Sequence, residues 1–237
     1  MSRKESEWSE NTITLTLEDV LKAYNNPLEF QVDLKEIIDY YSDTHKNIIE
    51  VGCFTGVTSF ILDNKFNKTL LDLDKNAIEL AKRLSEAIGQ NAHFVIADMF
   101  SIPIEDKTFD IVFNAGVIEH FNRRDRIKLV REYSRILKDN GILIIAFPNH
   151  YSMPYRLAYI IHNYLLFKRF WPWPKEYKLY DLKKEALVNN LLLLERRTVS
   201  KNTPMEFAKG RLKGIFEIIY KFCSFEGYLT VLIINKK

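Results

Sequence analysis

Only two cysteines, Cys53 and Cys223, occur in 237 residues. That is too few for a disulfide framework or a cysteine-based metal knuckle, so a reducing, cytoplasmic setting is expected. Charge of one sign is also scarce. Lysine and arginine number 34 against 31 acids, a net charge of +3. The short basic stretches Lys82-Arg83 and Arg123-Arg124-Asp125-Arg126 therefore read as solvated helix faces, and no nucleic-acid partner is expected. Long apolar runs are missing too. The longest, Leu157 to Phe167, is interrupted by His162 and Asn163, and a spanning helix needs about 20 apolar residues. The opening Met1-Ser2-Arg3-Lys4-Glu5-Ser6-Glu7 has no apolar segment behind it, so no signal peptide is expected. Internal repeats and low-complexity tracts are absent.

Apolar residues make up 47% of the chain, enough for a sizeable core. Thr16 to Tyr24 reads as a short helix with Thr16 and Asp19 as a capping pair, broken at Asn25-Asn26-Pro27. Asp33 is expected to cap a second helix, with Leu34, Ile37, Ile38 and Tyr41 on one face. From residue 47 strands and helices alternate. Strands are expected at Asn47–Val51, Thr69–Leu73, His93–Ala97, Asp110–Asn114 and, after a turn at Asn140-Gly141, Ile142–Phe147. Helices are expected at Val57–Leu62, after Asp74 as far as Gly89, and at Arg126–Leu137. Continuous apolar strands alternating with helices imply a parallel sheet covered on both faces. Beyond Asn149 the rhythm breaks. A helix at Asp181–Asn189, a strand at Leu191–Arg197, a helix at Met205–Phe222 and a strand at Tyr228–Ile234 follow. The chain so divides into an N-terminal helical segment (1–45), a core (46–149), an aromatic-rich insertion (150–180) and a C-terminal part (181–237).

The most informative stretch is Ile48-Ile49-Glu50-Val51-Gly52-Cys53-Phe54-Thr55-Gly56. It reads as a strand, a tight turn and a helix start, the place where an α/β sheet binds a nucleotide-like ligand. Phe54 stands where such loops usually carry a second glycine, and its side chain cannot cheaply take positive φ. Asp72, ending the second strand, can accept both ribose hydroxyl protons. Asp98, ending the third, can accept from an exocyclic amine, with Met99 as an apolar neighbour for the ring. A nicotinamide dehydrogenase would want Gly-x-Gly-x-x-Gly, which Gly52 to Gly56 does not supply.

Taken in order, these residues resemble a known family. Glu50-Val51-Gly52-Cys53-x-Thr55-Gly56, Leu71-Asp72-Leu73, Ala97-Asp98, Phe109-Asp110-Ile111-Val112, Val117-Ile118-Glu119-His120 and Arg135-Ile136-Leu137-Lys138-x-x-Gly141, then Phe147-Pro148-Asn149, are similar to class I S-adenosylmethionine-dependent methyltransferases of the small-molecule, methyltransferase domain 11-like type. The resemblance covers roughly residues 46–149. It implies an α/β, Rossmann-like, doubly wound seven-stranded sheet with the last strand antiparallel. Helical insertions would follow strand five and separate the last two strands. It also implies S-adenosyl-L-methionine as cofactor. By position, Glu50, Gly52, Cys53 and Gly56 form the cofactor loop, with Glu50 and Gly52 near the methionine part. Asp72 would hold the ribose, Leu73 and Met99 would flank the adenine, and Asp98 would bind its amino group. Asn114 and Ala115 would line the methionine and the reacting methyl. Relatives with a Glu-x-x-Glu-His metal cluster differ here, because Gly116 stands at the first position; no metal is expected.

His120 is the candidate general base, since imidazole titrates near neutrality. The aromatic-rich segment reads as a lid over a small-molecule acceptor, with Tyr151, Tyr155 and Tyr159 expected to share a helix face as substrate contacts. An alternative for 151–174 is peripheral membrane contact, because Arg156, Lys168 and Arg169 flank apolar residues and Trp171 and Trp173 suit a headgroup layer. The expected activity is methyl transfer to a small molecule, at oxygen rather than nitrogen. The alternatives are a non-catalytic cofactor-binding or scaffold protein, and an enzyme acting on a lipid or other membrane-associated acceptor.

Overall fold

The structure, a computed structural model, describes residues 15–42, 46–160, 176–203, 214, 217, 218 and 226–236. Helix α1 (Leu17–Asn25) opens on a reciprocal cap. The Thr16 backbone N–H donates to Asp19 at 3.0 Å, and the Asp19 N–H donates to Thr16 Oγ1 at 3.2 Å. Helix α2 (Glu29–Tyr41) begins four residues before the Asp33 start expected above. The Gln31 side chain accepts from the Leu28 N–H at 2.9 Å and starts the helix just after Pro27. Asp33 instead accepts from Ser200 Oγ at 2.9 Å, a tertiary contact that leaves no sequence signal.

Seven strands form one sheet in the order β3-β2-β1-β4-β5-β7-β6. They are β1 (Asn47–Val51), β2 (Asn67–Asp72), β3 (His93–Ile96), β4 (Phe109–Ala115), β5 (Leu137–Pro148), β6 (Leu191–Val199) and β7 (Leu229–Lys236). The first five run parallel, with Ile49 opposite both Thr69 and Val112. Strand β7 lies antiparallel between β5 and β6. This is the Rossmann-like, doubly wound sheet with an antiparallel last strand. Strand β5 differs from expectation. Asn140-Gly141 does not separate it from the preceding helix; the strand starts at Leu137 and passes through Asn140 at φ +62°. A register shift between the partners of Phe109 and Ile111 absorbs the distortion, as a bulge does.

Helices α3 (Val57–Phe60), α4 (Lys75–Ile88) and α5 (Arg123–Ile136) cross between the parallel strands, and α6 (Met153–Ile160) and α7 (Lys183–Val188) follow β5. On one face Ile49, Val112, Leu143 and Ile145 pack on Leu129, Val130 and Tyr133 of α5. On the other, Ile48, Phe113 and Ile144 pack on Leu34, Ile37 and Ile38 of α2. Burial on both faces explains the unbroken apolar strands. Among the described residues no helix is long and apolar enough to cross a membrane. The expected helix at 205–222 and the expected lid residues Tyr164 to Trp173 lie largely outside the described residues.

Candidate active site

The carboxyl ends of β1 to β4 bring the loop Gly52–Gly56, Asp72, Asp98-Met99 and the turn Ala115–His120 to one edge of the sheet. The loop folds onto β2. The N–H groups of Gly52 and Cys53 both donate to Leu71 O, at 2.8 and 3.0 Å, and Gly56 N–H donates to Cys53 O at 2.8 Å. Phe54 N–H donates to Asp72 Oδ2 at 2.8 Å. With these amides already engaged, the loop offers no cradle for a pyrophosphate, which is recognised by free backbone N–H groups. That removes the dinucleotide reading on geometry as well as on pattern.

Gly52 has φ +75°, and a Cβ there would lie 2.8 Å from Val117 Cγ2 and 3.8 Å from Met99 Cε. The backbone, Val117 and Met99 therefore bound one narrow space over which only glycine leaves room. Gly56, φ +73°, caps α3, and a Cβ there would overlap Leu70. Its glycine is required by packing of the loop on β2. Phe54 adopts φ +50° although such a conformation disfavours a side chain, and the residue is 38% exposed. The ring stands partly in solvent at the rim, and the bond to Asp72 helps hold the strained residue.

Asp72 also accepts from Asp74 N–H at 3.0 Å through its other oxygen. Burial pushes its pKa up, against the backbone N–H groups of Asp74, Phe54 and Leu73 that pull it down. A carboxylate has about four acceptor sites, so room is left for a hydroxyl donor. Leu73 is exposed, Met99 is half-buried, and Asp98 is exposed with Oδ1 accepting from Phe100 N–H at 2.9 Å. These residues sit side by side because β2 and β3 pair in parallel, Asp72 opposite Ile96.

Other residues of the expected set point elsewhere. Glu50 is buried and accepts from Ser59 Oγ at 2.6 Å and Ser59 N–H at 3.2 Å, beneath the loop. Desolvation raises its pKa to about 8. The Cys53 side chain packs with Val57, Phe60 and Leu70, and burial pushes its thiol up. Asn114 is fully buried and donates from Nδ2 to Tyr133 Oη at 2.9 Å, while its Oδ1 is buried with no partner among the described residues. Tyr133 Oη in turn lies 4.0 Å from Met99 Sδ. Ala115, one residue on, packs towards the α2 face, as strand alternation requires. No sequence signal pointed to Tyr133 or Ser59, which act across elements.

His120 ends a short 3-10 turn, Ile118–His120, after β4, and is buried. Its Nε2 lies 3.9 Å from Glu119 Oε1. Among the three tyrosines expected to share a helix face, Tyr151 precedes α6 and is exposed, Tyr155 is buried, and Tyr159 is exposed. Tyr151 packs edge-on against Tyr180 at 6.0 Å, whereas Tyr155 packs on His150 and Tyr228. The helix starts only at Met153, so the spacing of four does not place them on one stripe.

Comparison with known proteins bears on this edge of the sheet directly. Residues 49–145 match the family model of the methyltransferase domain. This stretch is similar to a methyltransferase domain. An uncharacterised protein of Haemophilus influenzae is 35% identical over 103 residues, 42% of this chain and 41% of that protein. The chloroplastic tocopherol O-methyltransferase of Arabidopsis thaliana is 30% identical over 106 residues, 43% of this chain and 30% of the relative. The chain thus spans less than half the length of each. A geranyl diphosphate C-methyltransferase of Streptomyces coelicolor, solved with S-adenosyl-L-homocysteine, superposes with TM-score 0.62 over 87% of this chain and 76% of that one, at 12% identity. The segment matched to the methyltransferase domain contains the Gly52 loop, Asp72, Asp98 and His120. The polar and apolar groups at the rim fit that cofactor: a held carboxylate for a diol, an exposed carboxylate for an amino group, and a glycine facing apolar side chains.

Proposed function

We propose that this protein transfers a methyl group from S-adenosylmethionine to a small-molecule acceptor, at oxygen rather than nitrogen. The observation that carries the reading is the Asp72 carboxylate, held by two backbone N–H groups at the end of β2 beside the Gly52–Met99–Val117 space. Asp72 would hold the ribose hydroxyls, Asp98 the adenine amino group, and Leu73 and Met99 the ring faces. Bound S-adenosylmethionine supplies an electrophilic methyl on a sulfonium, an activated leaving group, so much of the rate enhancement can come from positioning. The residues of this chain then orient the acceptor and handle its proton. His120, buried after β4, would take the hydroxyl proton as general base. The preference for oxygen is supported by the end of β4, Asn114-Ala115-Gly116-Val117, which lacks the Asn/Asp-Pro-Pro-aromatic pattern of amino-methylating nucleic-acid enzymes.

Calorimetric titration with S-adenosylmethionine and S-adenosylhomocysteine tests this first, followed by turnover on phenolic and aliphatic hydroxyl acceptors. Binding of neither compound would end the proposal. Binding without turnover on any acceptor would favour the scaffold alternative. A second reading, action on a lipid acceptor, has its own support: Tyr151, Met153, Tyr159 and Ile160 are all exposed on and before α6. Co-sedimentation with anionic and neutral vesicles decides that point, and absence of binding to both removes it.

A further inference from the structure

Beyond β4 and β5 lies a buried polar cluster. Glu119 follows β4, His150 follows β5, Tyr155 belongs to α6, Tyr228 immediately precedes the antiparallel β7, and Glu176 joins them from the insertion. All therefore stand at the same end of the sheet as the cofactor edge. Glu176 Oε2 accepts from Tyr155 Oη at 2.5 Å and lies 3.0 Å from His150 Nε2. The ring of Tyr155 packs on those of His150, at 4.8 Å, and Tyr228, at 5.6 Å.

Two atoms of this cluster are buried with no hydrogen-bond partner among the described residues: Glu119 Oε2 and His150 Nδ1. Glu119 is 1% exposed and His150 8%. Orphaned buried polar atoms are rare and call for an explanation. In the neutral form with Nε2–H donating to Glu176, His150 keeps an accepting lone pair at Nδ1. Burial leaves Glu119 protonated near neutrality, and a cation beside it would ionise it and leave it accepting only. Both leftover atoms therefore want a donor. Among the described residues Glu119 has no lysine or arginine within ion-pair distance, and its one basic neighbour there is His120, at 3.9 Å. Charge repulsion from Glu176 adds to burial in keeping a lone proton on Glu119. Among the described residues no three histidine, cysteine or acidic side chains converge well enough to hold a metal ion. What fits two neighbouring carboxylates, an accepting imidazole and tyrosine faces is a small organic cation with N–H groups.

We infer that Glu119, with Glu176 and His150, forms a subsite for an ammonium group carried by the methyl acceptor. This rests on the methyltransferase reading and narrows its acceptor class to hydroxy-amines, methylated at oxygen with the amine held in the cluster.

The test uses the intact protein saturated with S-adenosylhomocysteine, titrated calorimetrically with 2-phenylethylamine and with its neutral counterpart 2-phenylethanol. The amine is expected to bind at least about tenfold more tightly, the scale of one charge-assisted contact. Glu119→Gln is expected to abolish that preference while S-adenosylhomocysteine affinity stays within about twofold, which also shows that the variant folds. Equal affinity for amine and alcohol, no measurable amine binding to the wild type, or a preference that survives Glu119→Gln overturns the ammonium subsite. Should Glu119→Gln fail to fold, the wild-type comparison and Glu119→Asp, expected to keep a reduced amine preference, carry the test. Loss of S-adenosylhomocysteine binding in the wild type would instead strike at the methyltransferase reading.

Discussion

The Phe54 backbone N–H donates to Asp72 Oδ2 at 2.8 Å from a left-handed position, φ +50°. A strained loop residue and the carboxylate proposed to hold the ribose are thus tied together. A phenylalanine is tolerated in a glycine-like place because its N–H, not its ring, does the bonding.

Replacing Phe54 separates strain from contact. Phe54→Gly removes a left-handed penalty of about 1–2 kcal/mol, partly offset by the greater freedom of glycine in the unfolded chain. A net gain of up to about 1 kcal/mol in urea unfolding is expected. Phe54→Val, β-branched at the same φ, is expected to lose at least about 1 kcal/mol. Equal stabilities for the two variants would mean that the loop is unstrained.

Asp72→Ala removes both accepted N–H contacts and the proposed ribose ligand. Affinity for S-adenosylhomocysteine is expected to fall by about tenfold or more. Titration calorimetry reads this, with circular dichroism as the folding control. Unchanged affinity would take the ribose role away from Asp72.

Glu50 gives a pH signature. Its carboxyl is raised from 4.5 to about 8 by burial. Between those values the folded protein holds a proton that the unfolded chain has released. Stability therefore falls as pH rises from about 4.5 towards about 8 and levels off above. Glu50→Gln cannot release a proton, so its unfolding free energy should decline less over this range. Parallel curves for wild type and variant from pH 5 to 8 would show that Glu50 is ionised in the fold.

His120→Ala should lower turnover by about 100-fold or more, the usual scale for a general base. S-adenosylhomocysteine affinity should stay within about twofold. Turnover equal to wild type would assign His120 to packing beside Glu119.

Tyr133→Phe deletes the partner of the fully buried Asn114 amide. Leaving Nδ2 unpaired costs about 1–3 kcal/mol. Because Tyr133 Oη also touches Met99 Sδ, the same variant should weaken cofactor binding slightly. A stability change under about 0.5 kcal/mol would mean that water replaces the hydroxyl.

The chain itself determined the strand–helix alternation, the parallel sheet and the cofactor edge, because these rest on local patterns: apolar strands, the Gly52 and Gly56 turn, the Asp74 cap. The acids at the ends of β2 and β3 were legible for the same reason. Tertiary structure alone decided which way each side chain faces. Glu50 turns under the loop to Ser59, and Asn114 turns to Tyr133, because partners from α3 and α5 arrive there only after the sheet is covered. Asp33 gave up its expected capping role for Ser200, 167 positions away. Tyr155 left its expected stripe because α6 starts late and His150 and Tyr228 meet its ring. The cluster of Glu119, His150 and Glu176 was equally invisible in one dimension. Its members lie far apart in the chain and meet only because β4, β5 and the antiparallel β7 open at one end of the same sheet.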